Sequence, residues 1–383
     1  MKYSSILLFI IFSFSGKAQV DWQKSYGEAQ SKAVEEGKKV LVECYHPECS
    51  HCQAFNANLE LTEVYSKINE EFVGYRIDLS AAEDVKVLDS LGIHVQSYPV
   101  LLFYSSKGDF YNFLEPSAED ASLFLRQLHE VKNQDVRTVA SSSINGLGRK
   151  AQYYMLLDDM PNNNAMADAM AQELGEANLN SQLSWFLFKR CVLSIDNTLF
   201  RYWIDHQKEA EAFEGTKGIE NTFYSKFYNM RRALLKSKAV KMEAVDDLKS
   251  TLEKLGSDEK KRVLMSWDAE LLYYFQQGLT DKAQDYCNYM LQLFPEPVSY
   301  LTIYQFINLH TDSRNYFDWF KAQEEKVQAG LKNANERKIY FEESAKFYGQ
   351  SGDKSQCRNL LNKAKDNGLP ENKVLEITQN FCL

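Results

Sequence analysis

Between Asp21 and His129 the apolar positions change their spacing several times. From Tyr26 to Gly37 they recur as on a helix that stops at a glycine. Val40 to Tyr45 is a short, nearly continuous apolar run, the pattern of a buried strand, and a helical stretch follows from Cys49 to about Ile68. A second strand is predicted over Phe72 to Asp78 and a helix over Ala82 to Leu91. Val100 to Tyr104 and Phe110 to Leu114 are predicted as paired strands joined across Lys107-Gly108-Asp109, a hairpin-type turn. Ser117 is the predicted cap of a last helix, Glu119 to Val131, with an acidic first turn. The alternating order is that of an α/β domain.

Residues 133–148 interrupt the pattern. Ser141 to Gly148 is small and polar, the composition of a linker. Beyond it, 149–383 holds only four prolines and almost no period-2 alternation, so an all-α region is predicted. Two stretches of it share one spacing. Trp267, Leu271, Tyr274, Ala283, Cys287 and Met290 are separated by 4, 3, 9, 4 and 3 residues, and so are Phe341, Ala345, Tyr348, Cys357, Leu361 and Ala364, 74 residues later. This resembles the degenerate pattern of tetratricopeptide repeats, although 74 is no multiple of their ~34-residue period. A generic bundle of helical hairpins fits the same positions.

Residues 1–18 carry a different signal. Lys2 precedes the apolar run Ile6 to Phe14, and Gly16-Lys17-Ala18 places small residues at the −3 and −1 positions of a cleavage site before Gln19. The run is too short to cross ~30 Å of hydrocarbon, so a cleaved export signal is expected, with no membrane span in the mature chain. The protein is therefore expected in a periplasm or outside the cell, where disulfides persist. The apolar content of 44% suits a chain that buries a core, and the net charge of −9 disfavours nucleic acid as a partner. The acidity is local: 20 acidic and 11 basic residues lie between Asp21 and Arg137, against 33 and 31 in 138–383.

The chemistry concentrates in Leu41-Val42-Glu43-Cys44-Tyr45-His46-Pro47-Glu48-Cys49-Ser50-His51-Cys52. An apolar strand runs into two cysteines that start a helix. The first lies where unpaired N–H groups and the helix dipole stabilise an anion, which lowers a thiol from its free pKa of ~8.5. The second, three residues on, shares its face and is within disulfide reach.

The segment resembles the catalytic stretch of protein disulfide isomerase domains in the thioredoxin superfamily, on Leu41, Val42, Glu43, Tyr45, Pro47, Cys49, His51 and Cys52. Gln96-Ser97-Tyr98-Pro99-Val100 is similar to the family loop that carries a cis proline, and Asp78 ends a matching strand. The resemblance covers about 21–131. It implies a thioredoxin fold over 19–132 and says nothing of 149–383, where the helical spacing alone predicts an all-α domain that resembles tetratricopeptide repeats. It implies that Cys49 is the nucleophile, Cys52 the resolving thiol and Glu43 a buried proton relay to Cys52. Tyr98 and Pro99 would hold an extended substrate chain, and His51 would favour the Cys49 thiolate and so a more oxidising disulfide than a Gly-Pro pair gives. Glu48 stands where the family has Trp, which removes an apolar docking surface and sets a negative charge against the thiolate.

The function implied is exported thiol–disulfide exchange on protein thiols and disulfides, with an upstream redox partner and no cofactor. The other reading is a binding or scaffold protein whose helical part recruits a protein partner while the first domain only docks. A zinc site from Cys44, His46, Cys49 and Cys52 is the metal alternative, disfavoured because Cys44 should point inward from its strand; no metal is expected. Cys191 and Cys287 sit in apolar helical stretches as core residues. Around a turn centred at Leu369, marked by Asn367-Gly368 and Pro370, a last helix from Glu371 to Phe381 should fold back and bring Cys357 beside Cys382. The two are either a disulfide, stabilising by ~3 kcal/mol, or two unpaired thiols.

Overall fold

In a computed structural model of the chain, the structure describes residues 19–116 and 120–383. The export signal expected over 1–18 lies outside the described residues, as do Ser117 and Glu119. The chain divides into two compact units, 1–203 and 204–383.

The first unit is built on a mixed sheet of five strands: β1 (Trp22–Gln23), β2 (Lys39–Tyr45), β3 (Phe72–Asp78), β4 (Val100–Tyr104) and β5 (Phe110–Leu114). Their order is β1-β3-β2-β4-β5, with β1, β3 and β2 parallel and β4 and β5 antiparallel to their neighbours. Helices α1 (Tyr26–Glu36), α2 (Ser50–Leu59), α3 (Thr62–Glu71), α4 (Ala82–Ser90) and α5 (Ala121–Val131) flank it. Because strand side chains alternate between faces, β2 serves two cores. Val40, Val42 and Cys44 pack with α1 and α4 residues, while Leu41 packs with Phe55, Leu59, Phe103 and Phe124 on the face that α2, α3 and α5 cover.

Three features differ from the expected pattern. The helix expected from Cys49 to Ile68 is two helices, because Leu61 is extended (φ −70°, ψ 133°). The buried positions Cys52, Phe55 and Leu59 keep helical spacing, but Val64 and Ile68 fall out of phase with them, and only a break lets both sets face one core. Strand β1 has two residues, too few for a periodic signal. The cap of α5 is Asp120, whose carboxylate accepts from the N–H groups of Ser122 and Leu123.

The linker expected at 133–148 contains a 3₁₀ turn (Val136–Thr138) and opens α6 (Ile144–Leu156). Ser143 caps that helix, and Gly146 is there for closeness: a Cβ on it would meet the Ala140 carbonyl oxygen at 2.0 Å. Arg149 of α6 donates to Asn112 Oδ1 and the Phe113 carbonyl, and Tyr153 stacks on Phe110 with ring centres 5.0 Å apart. The expected boundary at 149 therefore falls inside a helix packed on the sheet domain. Helices α7 (Met160–Leu174) and α8 (Gln182–Cys191) belong to the same unit, and α9 (Thr198–Asp205) spans its end.

The second unit is helical throughout its described elements. It begins with α10 (Gln207–Lys236) and α11 (Met242–Lys254). The first stretch of shared spacing forms the hairpin of α12 (Glu259–Gln276) and α13 (Thr280–Leu293). Helices α14 (Pro297–His310) and α15 (Phe317–Gly330) follow, and the second stretch forms the hairpin of α16 (Ala334–Ser351) and α17 (Lys354–Asp366). The positions that repeat lie in one apolar cluster, Tyr274 at its margin. A short α18 (Glu371–Ile377) continues as a π-helical turn, Thr378–Cys382, and Cys357 and Cys382 are bonded, with Cα atoms 5.5 Å apart.

Candidate active site at the end of strand β2

The loop leaving β2 delivers Cys49 to the cap position just before α2. Its sulfur caps the helix, accepting from the Cys52 N–H at 3.4 Å, and its thiol lies 3.8 Å from the Tyr98 carbonyl oxygen. The Tyr98–Pro99 peptide is cis. The sequence brings these together because β2 and β4 are neighbours, so the start of α2 and the loop entering β4 sit at the same end of the sheet.

The two sulfurs have unlike environments. Cys49 is half-buried and Cys52 is 1% exposed. Partial burial works to raise the Cys49 thiol, but hydrogen bonds from the Cys52 N–H and thiol and from the His51 N–H outweigh it and hold the thiol below its ordinary value. Burial pushes Cys52 up to about 11; a backbone hydrogen bond from His46 opposes this, and the charges of Cys49 and Glu43 reinforce it. The His51 imidazole is exposed and makes no hydrogen bond or ring contact with the described residues. What His51 gives Cys49 is its N–H.

Glu43 is fully buried on the α2 face of β2. Burial pushes its carboxyl up to about 7, and Arg76 limits the rise. In the parallel β2–β3 register Glu43 stands opposite Arg76, whose Nε lies 2.9 Å from Oε2 without hydrogen-bond alignment. Arg76 also donates to Asn56 Oδ1 on α2 at 2.7 Å and lies over the Tyr45 ring. Sequence reasoning missed Arg76 because the pairing depends on strand register; a basic residue in an otherwise apolar strand was the available signal. His46, considered from the sequence only as a metal ligand, instead stacks its ring on Tyr98 with centres 5.5 Å apart, and its Nδ1 accepts from the Glu48 N–H.

Cys44 is buried on the opposite face of β2, so it cannot join Cys49 and Cys52 around a metal. Burial, with the charge of Glu43, holds its thiol far above the usual range. Among the described residues, no cluster of His, Cys, Asp or Glu is arranged to hold a metal ion.

Residues 21–106 match the model of a family described as thioredoxin-like. The first unit carries a thioredoxin-like domain. Its sheet, its Cys pair at a helix start and its cis proline are in keeping with that match. A curated relative, Protein disulfide isomerase-like 1-3 of Oryza sativa subsp. japonica, is 36% identical over 89 residues. Those residues are 23% of this chain, which spans only 15% of that protein. The solution structure of a thioredoxin from Thermus thermophilus is similar at 21% identity and a TM-score of 0.26, covering 29% of this chain and 86% of that one.

Proposed function

We propose that this protein is a thiol–disulfide oxidoreductase acting on protein disulfides through Cys49 and Cys52. The observation that carries the reading is the asymmetry of the pair: an accessible sulfur held below its ordinary pKa, three residues from a buried one pushed up to about 11. The nucleophile is thus available as thiolate while its partner stays protonated until needed.

In the reducing direction, Cys49 thiolate attacks one sulfur of a substrate disulfide. A mixed disulfide forms and the other substrate sulfur leaves as thiolate. Cys52 then gives up its proton, attacks the Cys49 sulfur and releases the second substrate thiolate, leaving Cys49 and Cys52 bonded. Glu43, buried beneath the pair and poised near 7, is the acceptor proposed for the Cys52 proton. An upstream dithiol partner would reduce the enzyme disulfide again; in the oxidising direction every step reverses. The Tyr98 backbone would align the substrate chain, as the position of its carbonyl beside Cys49 supports. No cofactor takes part.

We extend the proposal to place. The apolar run after Lys2 and the small residues before Gln19 support export, and the buried Cys357–Cys382 disulfide suits an oxidising compartment.

Reduction of insulin by dithiothreitol, followed as turbidity, tests the function. Cys49→Ser is expected to lower the catalysed rate on the order of 10³-fold or more, and Cys52→Ser to accumulate mixed disulfides. Unchanged turnover in Cys49→Ser would overturn the assignment.

A further inference from the structure

Within the first unit, the helices after the sheet are tied to the loop beside Cys49. Ser97 Oγ donates to one oxygen of Glu115, and the other oxygen takes the Arg190 guanidinium of α8. Ser97 immediately precedes Tyr98. A second tie joins the approach to that loop to α6, where the His94 N–H donates to the Leu156 carbonyl at 2.7 Å. An ion pair as exposed as Arg190–Glu115 contributes little to stability. Its consequence is placement: α8 is fixed against the segment that faces the reactive sulfur.

Helix α8 presents an unusual surface there. Leu183, Phe186 and Arg190 follow one another at i, i+3 and i+7, so they share a face. Leu183 is 48% exposed and Phe186 55%, although Trp185, Leu187 and Phe188 of the same helix are buried. A helical side chain leans toward the N-terminus of its helix, which brings Arg190 and its partner Glu115 toward the turn of Phe186. Tyr98, 42% exposed and stacked on His46, is the apolar surface at the other end of the chain of contacts.

We propose that α8 is a wall of the substrate site, in which Leu183 and Phe186 together with Tyr98 hold an apolar stretch of the polypeptide joined to Cys49. This rests on the reading of Cys49 as nucleophile. The occupant is an extended segment of a substrate protein with apolar residues next to its cysteine, because the contacts of Ser97 with Glu115 and of Glu115 with Arg190 lead from Tyr98 to a helix face that carries two exposed apolar side chains. Leu183 to Arg190 spans ~10 Å of helix, the length of about three extended residues.

Fluorescence anisotropy with the full chain tests this. Two nine-residue peptides are compared, each with serine in place of the central cysteine, one flanked by leucine and phenylalanine and one by glycine and serine. The apolar peptide is expected to bind about tenfold more tightly, and the double variant Leu183→Ser, Phe186→Ser to bring the ratio close to one. In Phe186→Trp the indole emission should shift to the blue with the apolar peptide only, which keeps the test open should the double variant not fold. Equal binding of both peptides to the wild type, a preference that survives in the folded double variant, or an unshifted indole emission in Phe186→Trp would each overturn the proposal. The peptides carry no thiol, so these outcomes are independent of insulin reduction, which tests the chemistry at Cys49.

Discussion

The protein contains two cysteine pairs whose surroundings have opposite effects. In the first unit, Cys49 and Cys52 are free thiols at a helix start, one accessible and one buried, with a buried carboxyl on the strand below. In the second, Cys357 and Cys382 are both fully buried and bonded, and the turn that carries Cys382 is tied down by Lys354 Nζ on the Phe381 carbonyl and Arg358 on the Cys382 carbonyl. Both pairs meet the distance requirement for a disulfide in sequence or space. What separates a redox pair from a staple is access for one sulfur and unequal stabilisation of the two thiolates.

That contrast can be broken in order of expected effect. Removing the staple should be the most costly to stability: Cys357→Ser or Cys382→Ser is expected to lower the urea unfolding free energy by about 3 kcal/mol for a loop of this length. A loss below about 1 kcal/mol would mean that the C-terminal turn holds without the bond.

Glu43 should make the first unit sensitive to pH in a defined direction. Its folded pKa of about 7 exceeds its ordinary 4.5, so its contribution to stability is fully present below 4.5 and lost as pH rises through 7. Between pH 5 and 8 the wild type should lose about 2 kcal/mol from this group, and Glu43→Gln should lack that slope. Equal slopes in urea titrations at the two pH values would remove Glu43 as a group poised near neutrality.

Closeness around the staple gives a smaller effect. A Cβ on Gly349 would meet Cys357 Sγ at 2.9 Å and the Phe381 carbonyl oxygen at 2.5 Å. Gly349→Ala should therefore cost about 1–2 kcal/mol by displacing the last turn, read as a lower melting temperature. Undisturbed melting would show that the turn shifts freely.

The finest test concerns the thiols themselves. Iodoacetamide labelling against pH should titrate Cys49 below an ordinary thiol and Cys52 near 11. Coincident profiles would erase the asymmetry on which the proposed chemistry rests.

Much of this was written in local sequence. The end of β2 in a helix that starts with Cys49 follows from an apolar run meeting a polar, helix-starting segment, and both sulfurs of that site are three residues apart. The hairpin positions on α12–α13 and α16–α17, and the meeting of Cys357 with Cys382, follow from helical spacing and one Gly-Pro-marked turn. Each of these depends on neighbours within one or two elements, so residue type and period suffice to specify them. The break at Leu61, the attachment of α6 to the sheet through Arg149, the Arg76 opposite Glu43 and the His46–Tyr98 stack were decided elsewhere. They join segments far apart in sequence, and their partners are fixed only when the strands take their register and the helices choose a face of the sheet. Gly146 shows the limit most plainly: its small, polar neighbourhood has the composition of a linker, and only the Ala140 carbonyl pressed against it makes it part of a packed helix.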